Sequence, residues 1–410
     1  MMKKVLFSFL TALIASAGSL PVAAQEAYAV LTEPDSTLTF YYDNLRSTRP
    51  GTKYDIPTEK DTAPGWTGTW DSPQAGILHA VFDASFADYR PTSTRHWFQY
   101  CKKLQDIKDI RNLNTANVTD MGRMFAGCDS LASLDLTGFN TANVTDMSYM
   151  FYFCNSLASL DLTGFNTANV TYMQDMFYFC RSLASLDLTG FNTANVTDMS
   201  DMFAICISLT SLNLTNFNTA NVTDMHNMFG ACSSLASLDL TGFNTANVIY
   251  MYDMFVTCSS LASLDLTSFN TANVTDMSRM FAGCDSLASL DLTGFNTANV
   301  TGMSEMFEGC QLLTTIYCND DWSKGKVEED ENMFKDCTQL SGAVAYYEKQ
   351  TGIAMANPDT GYFTRKGSGI ADVSAERQAG NGRVYDLSGR LVGKNYKGVV
   401  VTNGRKILQR

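Results

Sequence analysis

The 410 residues predict an α/β solenoid: a curved stack with a parallel β-sheet on the concave side and short helices on the convex side, a β-rich N-terminal cap and a small β C-terminal tail. Three observations predict it. The motif Asn-Thr-Ala-Asn-Val begins at Asn114, Asn140, Asn166, Asn192, Asn218, Asn244, Asn270 and Asn296, always 26 residues apart, and a fixed period of this size marks stacked repeats. Within one repeat, Met147, Met150, Phe151 and Cys154 stand at i, i+3, i+4 and i+7, one face of a two-turn helix. Leu157, Leu160 and Leu162 then alternate as a short strand with one buried face.

From the N-terminus, Lys3 and Lys4 precede an apolar run over residues 5–17, followed by Pro21-Val22-Ala23-Ala24-Gln25. So short a run before small residues reads as a secretory signal peptide, residues 1–24, and not as a membrane span. Residues 25–95 read as the N-terminal cap, with strands at 28–31 and 37–42 and with Trp66 and Trp70 as anchors. Residues 96–340 are the solenoid. In each rung Thr145 and Asp146 suit a helix start, and Asn140 and Asn143 are expected to bond turn backbone from rung to rung. Strands about 4.8 Å apart against helices that need about 8–10 Å would bend the stack. Residues 341–366 read as a C-terminal cap and 367–410 as a tail with two β segments, turning at Ser388-Gly389 and Asn403-Gly404.

The rung "LDLTGFNTANVTDMSYMF" followed by Cys154 and Ser156-Leu157 resembles the 26-residue repeat of the BspA-type leucine-rich-repeat surface proteins of anaerobic bacteria, over roughly residues 26–364. The tail is similar to the C-terminal sorting domains of Bacteroidetes type IX secretion. The residues that carry this are Val384-Tyr385-Asp386-Leu387, Gly389-Arg390, Gly398 and Asn403-Gly404-Arg405-Lys406. The resemblance implies a leucine-rich-repeat-like fold, display on the outer membrane exterior of a Gram-negative anaerobe, and an adhesin role toward host extracellular proteins or other cells.

Charge narrows the partners. The chain carries a formal net charge of -13, which disfavours nucleic acid and anionic membranes. The segment from Arg365 to Arg410 is the exception, with ten basic and three acidic residues. Eleven cysteines in an exported chain suggest disulfides. Nearly all share one helix position, however, and helix spacing would hold their Cα atoms beyond disulfide reach, so buried free thiols are expected. No metal-binding His or Cys pattern recurs, no cofactor motif appears, and none of the usual hydrolase, metalloprotease or phosphate-loop motifs is present. The chain therefore reads as a non-enzymatic monomer.

Two sets of residues remain for binding. Asp135, Asp161, Asp187, Asp239, Asp265 and Asp291 form a column between the core leucines, with Asn213 as the exception, and should line the concave sheet. It reads either as a solvated acidic face or as a site for a basic ligand or ordered cations. Tyr149, Tyr152 and Phe153 in one rung, with Tyr178 and Phe179 in the next, stand where other rungs hold small or charged residues. Such a cluster reads as a contact surface or as aromatic packing between rungs. Tyr250 and Tyr252 form a second, weaker cluster. A passive coat or spacer protein and a glycan- or nutrient-capture module are the alternatives to an adhesin.

Overall fold

The computed structural model describes residues 24–59 and 61–367, with the backbone of four short strands between residues 384 and 409. Apart from Ala24, the expected signal peptide lies outside the described residues. β1 (Glu26–Thr32) and β2 (Thr37–Asp43) form an antiparallel hairpin. The alternation in β2 buries Leu38 and Phe40. β3 (Thr52–Asp55) joins β1 antiparallel, while β4 (His79–Phe82) and β5 (Asp106–Lys108) add in parallel beyond β2, giving the order β3-β1-β2-β4-β5. The change to parallel pairing joins the cap to the repeats, because β5 belongs to the first rung. Phe40 holds the centre, stacked at 4.4 Å on Phe82 and 5.6 Å on Trp97, with Trp66 edge-on at 5.4 Å. Trp66 is buried, and its indole N–H donates to the Trp97 carbonyl at 2.6 Å. Trp70 is not an anchor: it is 54% exposed.

The rungs correct the expected helices. Among the described residues there is no α-helix, and residues 147–154 are a ribbon of successive tight turns. The N–H groups of Met150, Tyr152 and Cys154 donate within the rung, to the carbonyls of Met147, Tyr149 and Phe151 at 3.1–3.3 Å. The N–H groups between them, on Tyr149, Phe151 and Phe153, donate to Gln174, Met176 and Tyr178 of the next rung at 2.8–3.0 Å. Tyr149 and Phe153 have φ of 57° and 58°, and the equivalent residues of the other rungs are also left-handed. A left-handed residue at every fourth position stops a helix. Spacing explains why turns win. Rungs joined by backbone bonds lie about 4.8 Å apart, whereas packed helices would hold them about 8–10 Å apart. A two-turn helix is also too short to be stable by itself. The inward pattern at i, i+3, i+4 and i+7 survives because the turn ribbon repeats every four residues.

Without helices, the expected cause of strong curvature is absent. The phenylalanine column from Phe98 to Phe334 stacks at 5.4–5.8 Å, its planes within 3–10°. The turn side is thus nearly as closely spaced as a sheet. The expected continuous parallel sheet is reduced as well. β6 (Ser185–Asp187) pairs with β7 (Ser211–Asn213), and β8 (Ser289–Asp291) pairs with β9 (Thr315–Tyr317), which β10 (Phe363–Thr364) closes. Continuous parallel bonding runs instead through single bridges at the start of each turn ribbon, from Ser93 through Asp146 and Asp224 to Glu329.

The Asn-Thr-Ala-Asn-Val motif ties the rungs together. Asn140 Oδ1 accepts from the Ala142 N–H at 3.1 Å, and Asn143 Nδ2 donates to the Ala116 carbonyl of the preceding rung at 2.8 Å. Both asparagines bond turn backbone as expected, but only Asn143 does so from rung to rung; Asn140 closes the turn of its own rung. The sequence reading passed over Thr141, which is 1% exposed. Its hydroxyl donates to the Asn166 carbonyl at 3.0 Å and accepts from the Asn166 N–H at 2.8 Å.

All eleven cysteines are buried free thiols, but helix spacing is not the reason. Cys154 Sγ donates to the Phe125 carbonyl of the preceding rung at 3.2 Å, and the same contact recurs from Cys128 to Cys337. Burial pushes these thiols up, to about 12 at Cys258.

At the far end Tyr362 lies edge-on to Phe334 at 5.3 Å, and Trp322 lies edge-on to Phe363 at 4.9 Å, closing the stack. The tail forms its own antiparallel sheet of β11 (Val384–Asp386), β12 (Leu391–Val392), β13 (Gly398–Thr402) and β14 (Arg405–Gln409), in the order β12-β11-β13-β14. The turns expected at Ser388-Gly389 and Asn403-Gly404 lie outside the described residues.

Candidate functional site

The turn ribbon turns three positions of a rung outward, those of Tyr149, Tyr152 and Phe153, and close rung spacing stacks whatever they carry. In the rungs of Tyr149 and Tyr178 they carry rings, save at Asp175. Phe153 lies face to face with Phe179 at 4.2 Å and 6°, and Tyr152 lies on Tyr178 at 5.1 Å. Tyr149 meets Tyr152 edge-on at 5.4 Å, and Tyr178 and Phe179 are neighbours at 5.9 Å. All five rings are half-buried. The five residues singled out from the sequence are therefore one ladder.

The structure adds two rings that the sequence reading did not assign to it. Trp70, from the cap, meets Phe153 edge-on at 5.2 Å and Tyr100 at 6.1 Å. Gly127 lies between Tyr100 and Phe153 in the same column. A Cβ there would fall 2.2 Å from Tyr100 Cδ1, so glycine makes the room that Tyr100 uses. No local signal tied Trp70 to this patch, since it stands 83 residues before Phe153 in the chain. Cations border the ladder. The Arg123 guanidinium is 3.8 Å from the Tyr149 ring centre, Arg181 is 4.9 Å from Phe179, and the Lys102 ammonium is 5.3 Å from Trp70. Burial pushes the Tyr149 hydroxyl up to about 12.

The aspartate column is a separate feature with a local job. In each of Asp135, Asp161, Asp187, Asp239, Asp265 and Asp291, Oδ1 accepts from the backbone N–H and the hydroxyl of the threonine two residues on, at 2.7–3.1 Å. Asn213 makes the same pair to Thr215 with its amide oxygen, which explains why an uncharged residue serves there. The Thr163 N–H and hydroxyl hold the Asp161 carboxyl below its usual range despite its acidic neighbours. Arg111 pairs with Asp135 at 2.9 Å, and Lys366 pairs with Asp291, so both ends of the column are neutralised.

A third cluster lies on the turn side. His226 bridges two rungs, with Nε2 2.9 Å from Asp201 Oδ2 and Nδ1 2.8 Å from Asp224 Oδ1, and its ring stacks on Tyr252 at 4.5 Å. Burial alone would lower the imidazole, but the two carboxylates outweigh it and raise it to about 10. Burial, and then the charge of Asp201, raise Asp175 to about 7. Both shifts act in the same direction. A histidine raised from 6.5 stabilises fully below pH 6.5 and loses that stabilisation as pH climbs to about 10. An aspartate raised from 3.8 is neutral at low pH and destabilises progressively as pH climbs from about 4 to 7. The unfolding free energy from urea titrations is expected to fall across both windows, by about 1–2 kcal/mol in each after solvent screening. Asp175→Asn should remove the fall between pH 4 and 7, and His226→Gln the fall between pH 6.5 and 10.

Arg95 holds Asp120 at 3.2 Å and Asp146 at 3.0 Å beside a cleft of about 310 Å³ lined by threonines and Tyr172, away from the ladder. No group of three or more metal-ligating side chains occurs among the described residues, and no helix there is long and apolar enough to cross a membrane.

The fold and site define a repeat solenoid of leucine-rich type, with turn ribbons where helices were expected and an outward aromatic ladder. Residues 92–206, 180–289 and 260–357 match the family described as "Mycoplasma protein of unknown function, DUF285", which spans more than half of the chain, and the chain belongs to that family. It is also similar to a leucine-rich cell surface protein from Faecalibacterium prausnitzii, at 16% identity over 82% of this chain and 96% of that one, with a TM-score of 0.35. A leucine-rich repeat protein from Bacteroides ovatus matches at 19% identity over 83% and 98% of the two chains, with a TM-score of 0.31. No curated protein matches the chain.

Proposed function

We propose that this protein is an exported, surface-displayed binding protein, an adhesin for host proteins or other cells, that makes its contact through the aromatic ladder headed by Trp70. The observation that carries the reading is the 54% exposure of Trp70 on top of half-buried Tyr152, Phe153, Tyr178 and Phe179. A large exposed ring, set among tyrosines and arginines, is the composition that dominates protein contacts. The BspA-type resemblance supports adhesion, and the basic tail fits a sorting role in export to the outer membrane exterior. No enzymatic activity is part of this reading. A passive spacer is the second reading, favoured by the way the ladder packs on itself.

Immobilised host extracellular proteins and intact epithelial cells provide the test, probed with the purified chain and with its Trp70→Ala and Phe153→Ser variants. Saturable binding that drops at least tenfold in both variants is the expected result. Absence of saturable binding to any of them would leave the spacer.

A further inference from the structure

The ladder's charge says more than its aromaticity. Between Leu113 and Ser323 the chain has 20 acids and only three Lys or Arg residues, Arg123, Arg181 and Arg279. Arg279 is spent on Asp253 at 3.3 Å and Glu305 at 3.4 Å. Arg123 and Arg181 have no ion-pair partner among the described residues, and both lie against ladder rings. The two unpaired cations of an acidic repeat region therefore flank the same half-exposed aromatic patch, with Lys102 at its Trp70 end. Asp129 offsets Lys102 at 3.9 Å, and Asp175, beside Tyr149, offsets part of the Arg123 charge; what positive character the site has rests on the two arginines.

We infer that the ladder docks a protein segment that is at once acidic and apolar, with carboxylates on Arg123 and Arg181 and an aromatic or aliphatic side chain against Trp70 and Phe153. This rests on the reading of the ladder as a binding surface and adds the chemistry of its partner. Charge complementarity selects the acid: the rest of the repeat region, Leu113 to Ser323, would repel it, so within that region a carboxylate segment is steered to this patch. Ring geometry selects protein over saccharide. Sugars stack on open ring faces, but Phe153 and Phe179 cover each other at 4.2 Å, and Tyr152 and Tyr178 do so at 5.1 Å. Each of these four rings loses one face to its neighbour, which leaves less open ring face for a sugar and favours an apolar side chain packed against Trp70 and Phe153. A guanidinium over a ring keeps its donors free for a carboxylate.

The test is selection of random linear peptides displayed on phage against the full chain, followed by titration of an enriched peptide. The expected sequences combine Asp or Glu with Phe, Leu or Trp. Affinity is expected to fall at least tenfold in the Arg123→Gln/Arg181→Gln variant and in Trp70→Ala, and to weaken as sodium chloride is raised. Arg279→Gln, at an ion pair away from the ladder, controls for general charge loss and should bind as the parent does; thermal melts establish that each variant is folded. Binding lost in Trp70→Ala but retained in the double arginine variant overturns the acidic partner while leaving the ladder as the site. Binding unaffected by any of these substitutions overturns both. Capture of a heparin hexasaccharide that competes with the peptide at equal or higher affinity overturns the protein segment in favour of an anionic glycan.

Discussion

Phe203→Ala is expected to lower stability by about 3–5 kcal/mol and to divide unfolding into two steps. Phe203 is fully buried and stacks at 5.7 Å on Phe177 and at 5.8 Å on Phe229. Removing the ring leaves a cavity and breaks two stacked pairs, each worth about 0.5–1.5 kcal/mol beyond burial. In a solenoid these are nearest-neighbour interfaces, so two adjacent couplings weaken together and the halves on either side unfold more independently. Tryptophan position makes this measurable. Trp66, Trp70 and Trp97 report on the N-terminal end and Trp322 on the C-terminal end. With Trp322→Phe and with Trp66→Phe/Trp70→Phe/Trp97→Phe as backgrounds, urea transitions followed by fluorescence should coincide in the parent and separate once Phe203 is replaced. A single shared transition at lower urea would keep the cavity cost and reject the loss of coupling.

Thr193→Val is expected to cost about 2–3 kcal/mol although the two side chains have nearly the same shape. Thr193 is 0% exposed. Its hydroxyl donates to the Asn218 carbonyl at 3.0 Å and accepts from the Asn218 N–H at 2.8 Å. Valine leaves the part-buried N–H and carbonyl of Asn218 without a protein partner, and at about 1 kcal/mol or slightly more for each lost bond the pair accounts for the cost. Thr193→Ser keeps the hydroxyl and should cost about 1 kcal/mol or less. Thermal or urea unfolding of the two variants checks this. Equal losses in valine and serine would assign the column to methyl packing.

Much of the architecture was legible because a 26-residue period exposes which letters never change. Met147, Met150, Phe151, Cys154 and Leu157 were read as core and are fully buried. The helix was misread because its inward period is shared with a turn ribbon, and the distinguishing residues sat on the outside. Gly127, Gly283 and Gly309 occupy one left-handed column, while Asp175, Asp201, Asn227, Asp253 and Asn332 occupy the other. Glycine, asparagine and aspartate tolerate positive φ, but most rungs carry such a residue at only one of the two positions, so the signal was present only as two partial columns. The candidate site divides in the same way. The five ladder rings were visible as departures from the repeat. The aspartate column was visible too, but its hydrogen bonds to Thr163 and its copies turn it into local structure.

The sequence by itself determined the repeat, its register, the identity of the core columns and the bonding role of Asn140 and Asn143, because each is a property of one rung copied along the chain. Tertiary structure alone decided that the turn side carries cross-rung hydrogen bonds in place of helices, because that choice depends on the spacing between rungs. It also decided that Trp70 leaves the cap core to meet Phe153 and that Arg123 and Arg181 lie unpaired against rings. The contacts of Trp70 with Phe153 and of Arg123 with Tyr149 join residues far apart in sequence, and only the stacking of rungs about 5 Å apart brings their side chains into reach.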